Sequence, residues 1–115
     1  IVTVSLPVLK DINFIPAIHE KLEAASKMGF GYVIKLLLRF KNKWWVDVSG
    51  KDFGKMDFML SNETVSVWWT QYPDPAPVLT GWLAGPKAEK FMNSSSKDIL
   101  DAGLISLANI FKVKN

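Results

Sequence analysis

The stretch Tyr-Val-Ile-Lys-Leu-Leu-Leu-Arg-Phe, residues 32–40, decides how this chain folds. Its aliphatic richness predicts a β-strand, in which successive side chains point to opposite faces of a sheet. One face of this strand is wholly apolar and consists of Tyr32, Ile34, Leu36, Leu38 and Phe40. The other face carries Val33, Lys35, Leu37 and Arg39. The first face therefore belongs to a core, whereas the second meets either water or a polar partner.

The composition indicates one domain with a substantial core. The chain has 115 residues, of which 49% are hydrophobic, and this length is short for two domains. The formal net charge is only +3, and Arg39 is the only arginine. Surfaces that bind nucleic acid usually cluster their charge and favour arginine. We therefore predict a single domain over residues 1–115 and no nucleic-acid partner.

Several classes of protein are disfavoured by what the sequence lacks. The chain contains no cysteine, so disulfides, thiolate nucleophiles and most structural zinc sites are excluded. It has no apolar run of membrane-spanning length, and its first residues do not resemble a signal peptide. We therefore expect a cytoplasmic location and no membrane partner. Because the chain begins at Ile1 without methionine, we interpret it as a piece of a longer polypeptide.

The elements before the long strand are predicted from proline, glycine and apolar spacing. Residues 2–5 are predicted to form a short strand that ends before Pro7. Pro16 is predicted to begin a helix that ends at Gly29 and Gly31, with Glu23 and Lys27 paired on its wet side. The buried face of that helix is predicted to comprise Ile18, Leu22, Ala25 and Met28.

Strands dominate the middle of the chain, and helices close it. Strands are predicted at residues 56–60, 65–70 and 78–84, and the prolines of residues 72–77 indicate a loop. A short helix is predicted from Gly85-Pro86 to about Met92, and Ser95 with Asp98 forms a capping-box pattern for a last helix. The predicted apolar stripe of that last helix is Leu100, Leu104, Leu107 and Phe111. The order predicts an α+β fold, with a mostly antiparallel or mixed sheet and helices packed on one face.

The motifs of self-sufficient active sites are absent from the sequence. It contains no glycine-rich phosphate loop, no cluster of metal ligands and no nucleophile beside a base. Aromatic residues are the notable excess, with five tryptophans in a small domain. Since Trp68 and Trp69 are adjacent on a predicted strand, one of them cannot join the main core. That residue either covers a second apolar layer or lines a cavity, and ordinary packing is the alternative for any one tryptophan.

The order of several segments resembles the flavin-containing amine oxidase family. The matching segments are Val-Thr-Val-Ser-Leu-Pro-Val-Leu-Lys, Ile-Asn-Phe-Ile-Pro, Gly-Phe-Gly-Tyr-Val-Ile-Lys-Leu-Leu-Leu-Arg-Phe, Lys-Trp-Trp, Leu-Thr-Gly-Trp-Leu-Ala-Gly-Pro-Lys-Ala and Leu-Ala-Asn-Ile-Phe. The resemblance runs almost from end to end and covers the substrate-binding domain of that family. The dinucleotide fingerprint and the flavin-binding domain of such enzymes are not in this chain.

The resemblance implies roles for three residues. In the family, a lysine after a Gly-x-x-x-Lys motif reaches toward the FAD and holds a water near its reactive nitrogen, and Lys35 after Gly31 stands in that position. The resemblance also implies that Trp69 and Trp82 lie near a small-molecule amine substrate. The alternative for Lys35 is that it and Arg39 form only the wet side of a half-exposed sheet.

Two classes of function follow. The first is the substrate-binding domain of an FAD-dependent amine oxidase, inactive without the flavin-binding domain of the same polypeptide. The second is a non-enzymatic binding or self-association module that uses the aromatic face of the sheet, because exposed apolar patches commonly mark interfaces. The second class predicts self-association of the purified chain, and a clean monomer at high concentration would count against it. A dimer would not exclude the first class, since a domain separated from its parent can cover its cofactor face in that way.

Overall fold

The computed structural model describes residues 1–48 and 50–113. These residues form an α+β fold, as predicted, with a four-stranded antiparallel sheet and helices. The chain packs as two compact units, one from Ile1 to Gly31 and one that begins at Tyr32. The interpretation of residues 1–115 as one domain stays a prediction.

The first unit contains two short helices, α1 (Leu6–Leu9) and α2 (His19–Ser26). The strand predicted at residues 2–5 is wrong: these residues form no strand, and Pro7 lies in the first turn of α1, where its missing N–H costs nothing. A short apolar run cannot by itself distinguish a strand from the approach to a helix.

Helix α2 differs from its prediction at both ends. It begins at His19 with Ile18 as its N-cap, so Pro16 lies before the helix rather than at its first turn. Ile18, Leu22 and Ala25 are partly buried, but Met28 lies beyond the last turn and is exposed. The predicted pair is present, with Lys27 Nζ 2.7 Å from Glu23 Oε1. Both side chains are solvated, so the pair contributes only a few tenths of a kcal/mol.

The second unit is built on the sheet. Its strands run in the order β1, β6, β5, β4, and every neighbouring pair is antiparallel. The strands are β1 (Val33–Arg39), β2 (Asp47–Val48), β3 (Lys51–Asp52), β4 (Phe58–Leu60), β5 (Val67–Trp69) and β6 (Val78–Ala84). The four predicted strands of this region are present; β6 has the predicted bounds, whereas β1, β4 and β5 are each shorter than predicted. Strands β2 and β3 form a separate two-residue ribbon, which is too short to leave a periodic signal.

The inner face of the sheet carries the core. Leu36, Gly81 and Trp68 lie side by side on β1, β6 and β5, and Trp68 is completely buried. A methyl group on Gly81 would lie 2.8 Å from the ring of Trp68 and 3.0 Å from Val65 Cγ1. Glycine is therefore required there because the indole ring lies directly against the backbone of β6. The start of β1 differs from its prediction, since Tyr32 was expected on the core face but precedes the strand and is half exposed.

Two helices follow the sheet, α3 (Pro86–Glu89) and α4 (Ser96–Phe111). Helix α4 begins with the predicted capping box: Ser95 Oγ accepts from the Asp98 N–H, and the Asp98 carboxylate accepts from the Ser95 N–H. This arrangement satisfies two backbone donors that have no partner within the helix.

The face that α4 buries is only half the predicted one. Leu107 and Phe111 are buried, whereas Leu100 and Leu104 are exposed. Gly103 and Ser106 face the sheet instead, and a methyl group on Gly103 would lie 2.8 Å from Leu36 Cδ2. The buried face of α4 is therefore rotated about the helix axis relative to the predicted apolar stripe, because the helix contacts the sheet through small residues rather than through leucines.

An aromatic cluster closes one end of the core. Five rings are linked by edge-to-face contacts, with the centroids of contacting rings 5.1 to 5.8 Å apart: Phe40, Trp44, Trp45, Phe53 and Phe111. Edge-to-face packing places the positive edge of one ring on the negative face of the next. Trp45 is 1% exposed, so this cluster belongs to the core and not to a surface site.

Candidate functional site

The surface of the sheet opposite α4 is its outer face. By strand alternation and register, it is formed by Val33, Lys35, Leu37, Arg39, Phe58, Leu60, Val67, Trp69, Val78, Thr80, Trp82 and Ala84. Large apolar side chains lie open on it, with Leu37 64%, Phe58 68% and Leu60 77% exposed. An uncovered apolar face of this kind is typical of a surface that meets another group or domain.

Lys35 lies in the middle of β1 on the outer face. Its backbone pairs with Trp82 of β6, and its Nζ lies 5.6 Å from the centroid of the Trp69 ring on β5. This distance is within the range of a cation–π interaction, worth about 0.5–1 kcal/mol at an exposed site. Within residues 1–48 and 50–113, the Lys35 ammonium forms no ion pair or hydrogen bond with another side chain.

Three rings form a row across the outer face. The centroid of Trp69 lies 5.6 Å from that of Phe58 and 6.2 Å from that of Trp82, with both pairs tilted. Phe58 of β4 pairs directly with Trp69, so the hairpin of β4 and β5 sets their contact. The row, Phe58 to Trp69 to Trp82, presents a continuous aromatic surface on which Lys35 lies.

A buried threonine lies beside this row. Thr80 of β6 pairs with Trp69 on one side and Leu37 on the other, and it is only 2% exposed. The side-chain amide of Gln71 donates to Thr80 Oγ1 at 3.0 Å. The buried hydroxyl is thus satisfied by a hydrogen bond.

The structure brings together the three residues predicted from the sequence. Lys35, Trp69 and Trp82 lie on one face and within one cluster, while Trp68 points into the core, as its adjacency to Trp69 requires. Arg39 lies on the same face but at the end of β1, paired with Val78. Sequence reasoning missed Phe58 and Thr80. The alternation of β6 would have placed Thr80 beside Trp82, and the hairpin register would have found Phe58.

Two further features of the described residues bear on the chemistry. No helix within residues 1–48 and 50–113 has both the length and the apolar character needed to cross a membrane. In the same ranges, no group of three or more His, Cys, Asp or Glu side chains could hold a metal ion.

Comparison with known proteins identifies the family. The sequence model of the family described as "Flavin containing amine oxidoreductase" matches residues 1–115. The chain therefore belongs to the flavin-containing amine oxidoreductase family, which confirms the resemblance found in its motifs.

Two curated relatives share this region. The chain is 32% identical over 122 residues to lysine-specific histone demethylase 1 homolog 1 of Oryza sativa subsp. japonica, covering 97% of the chain and 14% of that protein. It is 29% identical over 117 residues to lysine-specific histone demethylase 1 homolog 3 of Arabidopsis thaliana, covering 96% of the chain and 7% of that protein. The chain thus spans only a small part of each relative.

Proposed function

We propose that this chain is the substrate-binding part of an FAD-dependent amine oxidase, with its outer face turned toward the cofactor and the amine. The observation that carries the proposal is the convergence of Lys35, Trp69 and Trp82 on one uncovered face. Family membership supports an oxidoreductase that contains flavin. The flavin-binding domain of the same polypeptide is the partner that would cover this face.

The residues of the outer face fit a flavin. A flavin ring is flat and apolar over its faces and carries hydrogen-bonding atoms at its edge. The outer face offers exposed apolar and aromatic side chains and one lysine that forms no ion pair or hydrogen bond with another described side chain. Lys35 is the residue that would hold the reactive edge of FAD through a water. When bound, FAD accepts the hydride equivalent removed from the carbon beside the amine nitrogen.

The side chains of the outer face bind and orient the amine and a water molecule. The ammonium of Lys35 has three donors, so it can hold a water and still face the aromatic row. The rings of Trp69 and Trp82 suit an amine, because an alkyl stem packs against an indole and a cation is attracted to its face. With these roles, the 115-residue chain alone positions groups but catalyses nothing.

The test uses the full-length polypeptide that carries this chain. In the Lys35→Met variant, we expect slower flavin reduction or slower reoxidation, because methionine keeps the stem but cannot hold a water. Anaerobic stopped-flow absorbance measures the first half-reaction, and mixing the reduced enzyme with oxygen measures the second. Arg39→Met is the matched control, since Arg39 is a cation on the same face of the same strand. Unchanged rates in both half-reactions of Lys35→Met would remove the role proposed for Lys35.

The amines to be tried follow from the relatives. Both are named as lysine-specific histone demethylases. A peptide with methylated lysine therefore belongs in the substrate panel, together with a primary amine, a polyamine and an amino acid. Flavin bleaching under anaerobic conditions identifies which class is oxidised.

A second candidate function rests on the exposure of the outer face. Leu37, Phe58 and Leu60 are more than half exposed, as expected of a self-association module that needs no flavin. A full-length gene product that carries flavin would count against this candidate. A gene product of only this length that associates with itself would favour it. The cytoplasmic location stays a prediction.

A further inference from the structure

We propose that Trp69 is a positioning residue for Lys35, and that its indole ring fixes where the ammonium lies on the outer face. The inference rests on the role of Lys35 in the proposed function, and it goes beyond the assignment of Trp69 to the amine alone. It starts from the 5.6 Å separation between Lys35 Nζ and the Trp69 ring centroid.

The contact spans the sheet. Strand β6 lies between β1 and β5, so Lys35 and Trp69 belong to strands roughly 9–10 Å apart. Lys35 is paired with Trp82, yet its ammonium reaches the ring one strand further on. The lysine stem must therefore cross β6, and its direction is set by where the charged group is attracted.

Among the described strand residues, no carboxylate competes for the ammonium on this face. Of the strand residues that form the outer face, only Lys35 and Arg39 are charged, and none is an aspartate or glutamate. A lysine side chain has many rotamers. Without a carboxylate nearby, the attraction between the ammonium and the π-electrons of an aromatic ring can favour one of them. Trp69 supplies that ring.

The ring itself is held in place. Phe58 packs against it with the two ring centroids 5.6 Å apart, and Thr80 lies beside it in the register, hydrogen-bonded by Gln71. Because the Trp69 ring is held by its neighbours, it offers the ammonium one position. The β4–β5 hairpin, which carries the ring, therefore determines where the Lys35 ammonium lies as much as β1 does. Trp82 is the matched control, because it is an indole on the same face and the direct strand partner of Lys35.

The first experiment needs no flavin. In the 115-residue chain with ¹³C at lysine Cε, the Lys35 signal is identified by its loss in Lys35→Arg. We expect its εCH₂ protons upfield of the other lysines, because they lie over an aromatic ring. The shift should be lost in Trp69→Leu, partly kept in Trp69→Phe and kept in Trp82→Phe. A wild-type Lys35 signal that coincides with those of solvated lysines overturns the proposal, and so does a shift that survives Trp69→Leu.

The second experiment uses the full-length, flavin-bearing parent. If Trp69 acts through Lys35, Trp69→Leu at saturating amine slows the same half-reaction as Lys35→Met, and the double variant is no slower than Lys35→Met alone. Rescue by Trp69→Phe supports the role of a ring. Effects that multiply in the double variant overturn it. A ring-dependent shift in the chain together with unchanged kinetics of Lys35→Met would refute the proposed role of Lys35 at the flavin while leaving the contact established.

Discussion

Ser106 shows how a single hydroxyl joins helix α4 to the segment that leads into β5. It is 1% exposed, and its Oγ accepts from the Val65 N–H at 3.1 Å and donates to the Ala102 carbonyl at 2.8 Å. Ser106→Ala leaves the Val65 N–H buried without a partner, which costs about 1–3 kcal/mol. Urea unfolding should therefore show a lower free energy of unfolding. Ser96→Ala, at the exposed first residue of α4, is the control and should change little. Equal effects of the two variants would contradict the role of this hydrogen bond.

Gly81 is the residue on which the packing of Trp68 depends. A methyl group there would lie within 3.0 Å of two ring atoms of Trp68 and of Val65 Cγ1, all deeply buried. We expect Gly81→Ala to destabilise the fold by about 1–3 kcal/mol, because the indole must shift out of its packed position. Thermal unfolding with Trp fluorescence measures this loss. Gly29→Ala, where an added methyl group meets nothing within 4 Å, should be neutral or slightly stabilising.

Among elements, the start of α4 is sensitive to pH. Hydrogen bonds from Ser95 hold the pKa of the Asp98 carboxyl below its ordinary value of about 4. Since the pKa is lower in the folded chain than in the unfolded chain, the unfolded chain binds more protons in this range. The stabilisation by Asp98 is therefore present above pH of about 4 and is lost as the pH falls through the folded pKa.

The measurement is the free energy of unfolding between about pH 5 and pH 2, a range that covers the pKa of an ordinary aspartate. The loss on acidification should be smaller in Asp98→Asn than in the wild type. Asp57→Asn is the control, because the Asp57 side chain forms no hydrogen bond or ion pair within the described residues. A wild-type slope retained in Asp98→Asn would show that the capping carboxylate does not carry the effect.

The elements that the sequence predicts well are those whose pattern is long. Strands β1 and β6 each span seven residues, and the alternation within β1 correctly separates Leu36 from Lys35. The capping box at Ser95 is a local chemical pattern and is equally clear. The three-residue strands β4 and β5 were predicted, although over longer ranges, whereas the strand at residues 2–5 was wrong and the two-residue β2 and β3 were not predicted, because so few residues carry no period.

The candidate site was predictable only in part, because it is assembled across strands. Alternation puts Lys35 on a face away from the core, and adjacency splits Trp68 from Trp69. Neither pattern reveals that β6 lies between β1 and β5, which brings Lys35 near Trp69. The rotation of α4 about its axis was not predicted for a similar reason. The small residues Gly103 and Ser106 let the helix lie close to its neighbours, and the spacing of apolar residues carries no information about side-chain size at such contacts.

At the scale of the whole molecule, the outer face governs how the isolated chain behaves in solution. Leu37 and Phe58 are more than 60% exposed. We expect the purified chain to self-associate through them, since burying apolar surface is favourable by about 25 cal/mol per Å². Light scattering over a concentration series measures this, and Leu37→Ser with Phe58→Ser should reduce it. Leu104→Ser on α4 is the control, and a clean monomer at high concentration would contradict the expectation.

Strand β6 is an inner strand of the sheet, paired with β1 on one side and β5 on the other, and its residues alternate strictly between the two faces of the sheet. Leu79, Gly81 and Leu83 point inward, while Thr80 and Trp82 point outward. In evolution, position 82 can therefore vary for recognition while Gly81 and Leu83 on either side keep the fold. New specificity can arise at this exposed position by a single substitution that leaves the core unchanged.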